Sequence, residues 1–299
     1  MARAGKIQMV HGWVIVDKPL GVSSAHVVAK VKRLFKVKKA GHGGTLDPLA
    51  TGVLPIALGE ATKTLAYVLD GRKSYRFEVK WGEARATDDQ EGEITATSNK
   101  RPKVEEIQQA LSLFTGKIEQ TPPIYSALKV NGKRAYAYAR EGKEVSLSPR
   151  CVVIESLALV KTSVDSAIFE VLCSKGTYVR SLARDLALHL GTYGHIIALR
   201  RLMAGPFHEK NAILLDSLLQ IGHNTELVKY VLPLQDALVD ILALEIQDIE
   251  TVKLRHGQAI CSSHKELEQV VLILCKGVPQ ALAKIGQGLI TPLRIFNME

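Results

Sequence analysis

Hydrophobic and polar residues alternate along the chain in short blocks that predict a mixture of strands and helices. Apolar runs and period-two alternation, bounded by turn residues, predict strands at Gly12–Asp17, Leu54–Leu58, Ser74–Lys80 and Ile168–Cys173. Apolar residues at helical spacing, the first set preceded by the possible caps Ser23 and Ser24, predict helices at Val27–Phe35, Ala61–Leu69, Val104–Leu113 and Val179–Leu190. This combination indicates an α+β fold on a mixed, largely antiparallel sheet.

The pattern changes near Leu232-Pro233. Beyond that point, short apolar runs are separated by Gly, Pro and charged turns, and they predict the strands Gln258–Cys261, Val270–Cys275, Gln280–Ile285 and Leu293–Phe296. We therefore predict a large domain over residues 1–230 and a small, β-rich domain over residues 231–299.

The net charge of the chain indicates the kind of partner that it could bind. The 299 residues carry a formal net charge of +9, which favours binding to a polyanion. Residues 1–40 hold nine Lys/Arg and a single acid, Asp17, whereas the residues after Leu232 hold six Lys/Arg and eight Asp/Glu. The basic surface thus belongs to the larger domain, although a Lys-rich, solvated helix face would give the same count.

Residues 117–150 differ in composition from the segments around them. They contain three prolines, seven Lys/Arg against three acids, and Tyr125, Tyr136 and Tyr138. Such a mixture suits an exposed insertion that contacts RNA, and it suits a plain surface hairpin equally well.

The cysteines exclude two classes of site. The four cysteines are far apart, form no C-x-x-C pair and have no matching His cluster, so neither a disulfide framework nor a zinc site is indicated. We found neither a signal-peptide pattern nor a run of about 18 uncharged apolar residues. These features predict a soluble, cytoplasmic protein.

The segment Gly41–Pro55 carries the densest chemical signal. Five glycines or prolines between Gly41 and Gly52 predict a tightly turned backbone, and Pro48 pushes the preceding Asp47 out of the helical conformation. Asp47 could simply shape the loop through an Asx-turn, or it could be a reactive carboxylate with His42 five residues before it. The segment lacks the Gly-Lys-Ser/Thr ending of a nucleotide-binding loop, and the chain has no G-x-S-x-G or H-E-x-x-H motif.

The string GHGGTLDPLATGVLP resembles the central motif of the TruB family, the tRNA pseudouridine-55 synthases. Other stretches agree with that family in the expected order: VDKPLGVSSAHVV (16–28), KSYRFEVKWG (73–82), SKGTYVRSLARDLALHLG (174–191) and LRRLMAGPF (199–207). The tail after Leu232 resembles the small PUA RNA-binding domain. The resemblance implies the pseudouridine synthase fold with a C-terminal PUA-like domain.

The resemblance also implies roles for particular residues. Asp47 occupies the position of the nucleophilic aspartate, and Arg180 that of an arginine paired with it, which would keep the carboxylate ionised. The other implied members of the uracil site are Tyr75, which packs on the base, Tyr178 beside Arg180, Leu199 as an apolar wall, His42, which helps hold the flipped nucleotide, and, with a weaker match, Lys63 and Asp89. Taken singly, Tyr75, Tyr178 and Arg180 could equally be packing residues or a surface ion pair.

The implied reaction detaches uracil from C1′ of its ribose, turns the base and rejoins it through C5. It is redox-neutral and needs no metal or nucleotide cofactor. The carboxylate could attack the sugar or remove its 2′ proton, and both remain open. The implied substrate is uridine 55 in the T-arm stem-loop of tRNA, modified without a guide RNA. Nothing in the sequence indicates an obligate protein partner, so we take a monomer as the default.

One stretch departs from the family pattern. After Lys80 the sequence reads W-G-E-A-R-A-T-D-D-Q-E-G, with Trp81 in place of a leucine and Arg85 in place of a threonine. This departure puts the local contacts in doubt, including any bridge between Asp89 and Arg180.

Three rival functions remain. The first is that of a guide-dependent relative inside a ribonucleoprotein, although that branch lacks the insertion that we expect at residues 120–150. The second is that of a non-catalytic RNA-binding or RNA-folding protein. The third is a metal-dependent nuclease, which the sequence disfavours because it shows no acidic cluster with ligand spacing.

Overall fold

A computed structural model describes residues 10–126, 128–130, 132–135, 138, 147–223, 225–264 and 266–298. The strands are β1 Gly12–Lys18, β2 Ala40–His42, β3 Ala50–Leu58, β4 Lys73–Trp81, β5 Glu83–Arg85, β6 Ile94–Thr97, β7 Gly116–Gln120, β8 Lys129–Val130, β9 Lys133–Arg134, β10 Arg150–Thr162, β11 Ser166–Cys173, β12 Gly194–Ala204, β13 Phe207–His208, β14 Ile213–Leu214, β15 Leu242–Glu245, β16 Ile260–Cys261, β17 Gln269–Cys275, β18 Val278–Gly286 and β19 Leu289–Ile295. The α-helices are α1 Ser24–Leu34, α2 Leu65–Asp70, α3 Val104–Leu111, α4 Val179–His189, α5 Leu215–Ile221 and α6 Asp248–Arg255. Short 3₁₀-helices cover Gly59–Thr64, Ser112–Phe114, Glu209–Asn211, Thr225–Tyr230 and Leu234–Leu238. The α+β prediction is confirmed.

The chain forms two compact units. The first consists of the residues up to Pro48, Val53–Leu69 and the residues from Ala204 onward, and the second of Leu49–Gly52 and Asp70–Met203. The predicted boundary near residue 231 stays a prediction.

In the first unit, β1 lies beside β3 and pairs in parallel with β14, and β2 pairs antiparallel with β3. The C-terminal strands form a separate sheet in the order β15-β17-β18-β19-β16. Its residues Leu272, Leu282 and Phe296 share a buried core with Trp13 of β1 and Phe207. The rings of Trp13 and Phe207 lie 5.2 Å apart, so the C-terminal sheet and the first strand are stabilised by one core.

In the second unit the strand order is β12-β4-β11-β10-β7, and the pairs β4–β11, β10–β11 and β7–β10 are antiparallel. Alternate residues of β11 are buried, which is the period-two pattern that the sequence shows. The ring of Phe169 on β11 lies 5.3 Å from that of Phe77 on β4. Helix α4 buries Leu182 and Leu186 along one face.

The predicted RNA-contacting insertion lies largely outside the described residues. Of its described part, the two-residue strands β8 and β9 form a small antiparallel ladder. Its role stays a prediction.

Candidate active site

Asp47 lies in the first unit, on a stretch without regular structure between β2 and β3. The side chain is half-buried. The predicted Gly41–Gly44 loop is partly regular, because His42 pairs with Ile56 in the β2–β3 ladder. Gly43 donates its N–H to the carbonyl of Pro55 (2.8 Å), and a side chain at this glycine would collide with Val68.

The residue before Asp47 is fixed by Ser24. Leu46 donates its N–H to Ser24 Oγ (2.8 Å), and the same hydroxyl donates to the Leu46 carbonyl (2.9 Å). Ser24 is therefore not the helix cap. That cap is Ser23, whose oxygen accepts from the N–H of His26.

The residue after Asp47 is fixed by the turn that follows β1. The ammonium of Lys18 donates to the carbonyls of Val22 (2.7 Å), Pro19 (2.9 Å) and Pro48 (3.2 Å). Gly21 donates its N–H to the same Pro48 carbonyl at 2.8 Å. Lys18 is fully buried, so its ammonium is satisfied by these carbonyls and not by bulk water. The backbone of Asp47 is thus held on both sides.

Arg180 lies in the second unit, in the first turn of α4, and is buried. Its Nη1 donates to the carbonyl of Thr87 (2.8 Å) and its Nη2 to the carbonyl of Tyr125 (3.0 Å). The Asp89 carboxylate lies 3.6 Å from Nη1 and is itself buried. The bridge that the sequence departure put in doubt is present.

In the segment that departs from the family pattern, Arg85 itself stabilises the local structure. Arg85 donates to the Gly92 carbonyl (3.0 Å) and pairs with Glu83 (2.8 Å). The Thr87 hydroxyl and the N–H of Glu91 donate to Asp89. Hydrogen bonds from a neighbouring hydroxyl and a backbone amide therefore orient the carboxylate that faces Arg180.

The other predicted site residues of the second unit lie on three elements. Tyr75 is half-buried on β4, opposite Val171 of β11. Tyr178 precedes α4, donates its N–H to Gln120 Oε1 (2.7 Å) and has the guanidinium of Arg150 4.7 Å from its ring centre. Leu199 is buried on β12, opposite Ala50 in parallel register.

Lys63 of the first unit serves a structural contact. Its ammonium lies 2.5 Å from Glu60 and donates to the Ile295 carbonyl at 2.7 Å. Glu60 also accepts from the N–H of Asn297. These bonds tie a 3₁₀-helix to the C-terminal strand, and the predicted role of Lys63 at the uracil pocket stays a prediction.

Motif reasoning missed Lys18 and Ser24 as the supports of the Asp47 loop. It also missed Arg184 and Gln120, which hold the surroundings of Arg180. The spacing of Arg180 and Arg184, one turn apart on a helix, was the available signal for Arg184.

Among the described residues, no group of three or more His, Cys, Asp or Glu side chains could hold a metal ion. Nor does the described part of the chain contain a helix long and apolar enough to span a membrane.

Comparison with known sequences shows which proteins this chain resembles. Residues 32–179 match the N-terminal domain of the TruB family pseudouridylate synthases, and residues 180–239 match the tRNA pseudouridylate synthase B C-terminal domain. A tRNA pseudouridine synthase B of Bradyrhizobium diazoefficiens is 51% identical, with 97% of this chain and 86% of the relative aligned. One of Rhodospirillum rubrum is 47% identical over the full length of both chains.

Solved structures share the fold. A chain from an H/ACA ribonucleoprotein bound to a substrate RNA containing 2′-deoxyuridine superposes with a TM-score of 0.74 at 24% identity, covering 97% of this chain and 86% of the other. A chain from a Cbf5-Nop10-Gar1 complex gives 0.71 at 26% identity, with 97% and 84% covered. Fold and sequence together define a pseudouridine synthase, which is an isomerase. Within that class, the chain belongs to the TruB family.

Proposed function

We propose that this enzyme converts uridine 55 in the T arm of tRNA to pseudouridine, without a guide RNA and with Asp47 as the catalytic carboxylate. The observation that carries the proposal is the identity of 43–51% with proteins named tRNA pseudouridine synthase B, which extends over 97% or more of this chain in seven of eight such relatives. The rigid support of Asp47 agrees with it, because a reacting group must be held within a fraction of an ångström of its working position.

The reaction breaks the N1–C1′ bond and forms a C5–C1′ bond. N1 gains a proton, and the hydrogen on C5 leaves as a proton to solvent, so no electrons are exchanged and no redox cofactor is required. Asp47 either attacks C1′ or removes the proton at C2′. Both routes need the carboxylate in its charged form, and Arg180 provides the positive charge that favours this form.

The uridine must leave the RNA stack before it reaches the carboxylate. Extrusion costs a few kcal/mol, and stacking of the base on an aromatic ring offsets part of that cost. We assign this stacking to Tyr75, the apolar wall of the pocket to Leu199, and the support of the extruded nucleotide to His42. Tyr178 lines the site beside Arg180, and Asp89 acts by orienting Arg180.

The remaining parts of the proposal concern partners and place. Positive charge on the surface of the first 232 positions supplies the contacts to the tRNA phosphates, and residues 120–150 grip the stem-loop. The protein acts as a monomer in the cytoplasm. We also propose that residues 231–299 form a PUA-like domain that adds RNA contacts.

A test uses the purified protein alone with an unmodified tRNA transcript. Carbodiimide labelling of pseudouridine followed by primer extension should give one new stop, at position 55, and a transcript with cytidine at that position should give none. A stop elsewhere would refute the assigned position. Activity that appears only with an added guide RNA would favour the guide-dependent rival.

A further inference from the structure

Two separate segments of the second unit hold Arg180. The carbonyl of Thr87 and the carboxylate of Asp89 contact its Nη1, and the carbonyl of Tyr125 accepts from its Nη2. The first segment follows β5, and the second follows β7 at the start of the insertion. Contacts from both segments therefore help to set the position of the guanidinium.

Arg184 lies one helical turn after Arg180 and contacts the same two segments. Its Nη1 pairs with Asp88 Oδ2 (2.9 Å), and its Nη2 donates to the carbonyl of Thr121 (2.9 Å). Residues four apart on a helix project from the same face, so the two arginines contact adjacent points of each segment. Nε of Arg184 also lies 2.9 Å from Asp185, which fixes the plane of the guanidinium.

The backbone conformation of Asp88 and the burial of its carboxyl are both energetically unfavourable. Its φ of 59° lies in the left-handed region, which residues with a side chain seldom adopt. Burial raises the pKa of its carboxyl, whereas Arg184 and Arg180 oppose that shift. Such a conformation persists only where surrounding contacts impose it. The ion pair with Arg184 is one of these contacts, and the bonds of the Asp88 backbone to Arg85 and Ile196 are others.

We propose that Arg184 and Asp88 form a positioning pair that sets the place of Arg180 for the reaction and that neither residue touches the RNA. The pair clamps the Thr87–Asp89 segment to the Thr121–Tyr125 segment, and Arg180 is seated between these two. The inference rests on the proposed function, because the pair affects the reaction only through the role of Arg180 in it.

The first test separates the rate of reaction from RNA binding. Arg184→Ala should lower the single-turnover rate constant at saturating T-arm stem-loop by about ten- to a hundredfold, because small displacements of a working group have effects of that size. The dissociation constant of the stem-loop should change less than about twofold, since a positioning pair makes no RNA contact.

Arg101→Ala is the matched control. Arg101, like Arg184, makes three polar contacts: it pairs with the carboxylate of Asp165 (2.7 Å) and donates to the backbone carbonyls of Ser98 and Lys100. These partners lie outside the Thr87–Asp89 and Thr121–Tyr125 segments. Equal rate constants for the two variants would overturn the inference.

A second test asks whether Arg184 acts through Arg180. In an Arg180→Lys background, Arg184→Ala should change the rate constant by less than about threefold, because residues that act as a unit have non-additive effects. Additive losses would show that Arg184 acts independently and would refute the positioning role.

Should Arg184→Ala fail to fold, Asp88→Asn takes its place, since it removes the charge with little change in volume. A third measurement does not depend on activity. The side-chain NMR signals of Arg180 should shift and broaden in Arg184→Ala but not in Arg101→Ala. Unchanged signals would contradict the inference, whereas an inactive wild type with the expected spectra would refute only the proposed function.

Discussion

The Asp47 loop and the cluster around Arg180 are both held firmly, but by different interactions. Backbone groups on either side of Asp47 bond to Lys18, Gly21 and Ser24. Arg180 is instead held by the buried carboxylate of Asp89 and by the carbonyls of Thr87 and Tyr125, which belong to two segments in all. Hydrogen bonds to main-chain groups therefore fix the Asp47 loop. A buried ion pair, together with carbonyl acceptors, fixes Arg180.

The two regions also differ in how local their contacts are. The partners of the Asp47 loop lie 22 and 30 positions away in the chain, so one stretch of sequence encodes both the loop and its support. The partners of Arg180 lie 93 and 55 positions away and meet only once the second unit has folded. Substitutions near the loop should therefore act locally, whereas substitutions near the cluster should depend on the whole unit.

The largest effect on stability is expected for Lys18→Met. It removes the donor to three carbonyls in a fully buried position, which should lower the free energy of unfolding by about 3 kcal/mol or more. Urea unfolding measures this change. Lys32→Met on the exposed face of α1 is the control and should be nearly neutral. A loss for Lys18→Met below about 1 kcal/mol would show that the loop does not depend on it.

Buried charge should make the second unit sensitive to pH. Burial, followed by the positive charge of Arg201, lowers the pKa of Lys73 to about 8 from its usual 10.5. Between these values the unfolded chain binds the proton that the folded chain has released, so this group raises the free energy of unfolding as pH rises, on the order of 2 kcal/mol by pH 10.

The check compares urea unfolding of wild type and Lys73→Met at pH 7.5 and pH 10. Both proteins are measured in a Cys173→Ala background. Burial raises the pKa of the Cys173 thiol to about 11, which acts with the opposite sign, and the charge of Lys73 itself influences that thiol. If the free energy of unfolding of the wild type does not rise relative to that of Lys73→Met between pH 7.5 and pH 10, the lysine is not desolvated as described.

Adjacent serines allow a smaller and more selective test of the loop. Ser24→Ala leaves the N–H and carbonyl of Leu46 without this buried partner and should cost about 1–3 kcal/mol. It should also slow pseudouridine formation several-fold, because Leu46 precedes Asp47. Ser23→Ala removes only the helix cap, at about 1 kcal/mol, and should leave the rate within about twofold. Equal rates for the two variants would show that Ser24 does not position the Asp47 loop for the reaction.

The smallest effect concerns the exposed lysines after α1. Replacing Lys36, Lys38 or Lys39 by Gln should leave stability unchanged and should reduce the salt dependence of T-arm binding, by about 0.7–0.9 in the log–log slope for each phosphate that the variant no longer neutralises. An unchanged slope would place the RNA elsewhere.

The sequence predicted the elements whose pattern is local. Strand β1, helix α1 and the alternation of β11 follow directly from residue spacing. The long strands β10 and β12 were not predicted. Alternation in β10 is interrupted, with register shifts against β11, and Arg200 and Arg201 break the apolar pattern of β12. Helix α6 and strand β15 in the C-terminal region were missed as well.

The site residues divide in the same way. A residue within a local sequence pattern could be predicted, whereas contacts that depend on tertiary structure could not. Asp47 stood out because glycines, a proline and a carboxylate coincide in one short segment. The contacts of Arg180 could not be read from spacing, since Thr87, Asp89 and Tyr125 approach it only through tertiary structure. Buried ion pairs depend on the packing that excludes water from them, and a linear pattern does not contain that packing.

The most direct test of the central claim is tritium release from C5-labelled uridine in a T-arm stem-loop by the wild type and by Asp47→Asn. We expect release by the wild type and none by the variant, with RNA affinity and unfolding free energy retained by both. Release by Asp47→Asn would contradict the role of this carboxylate. A wild type that binds the stem-loop but releases no tritium would contradict the proposed guide-independent reaction itself.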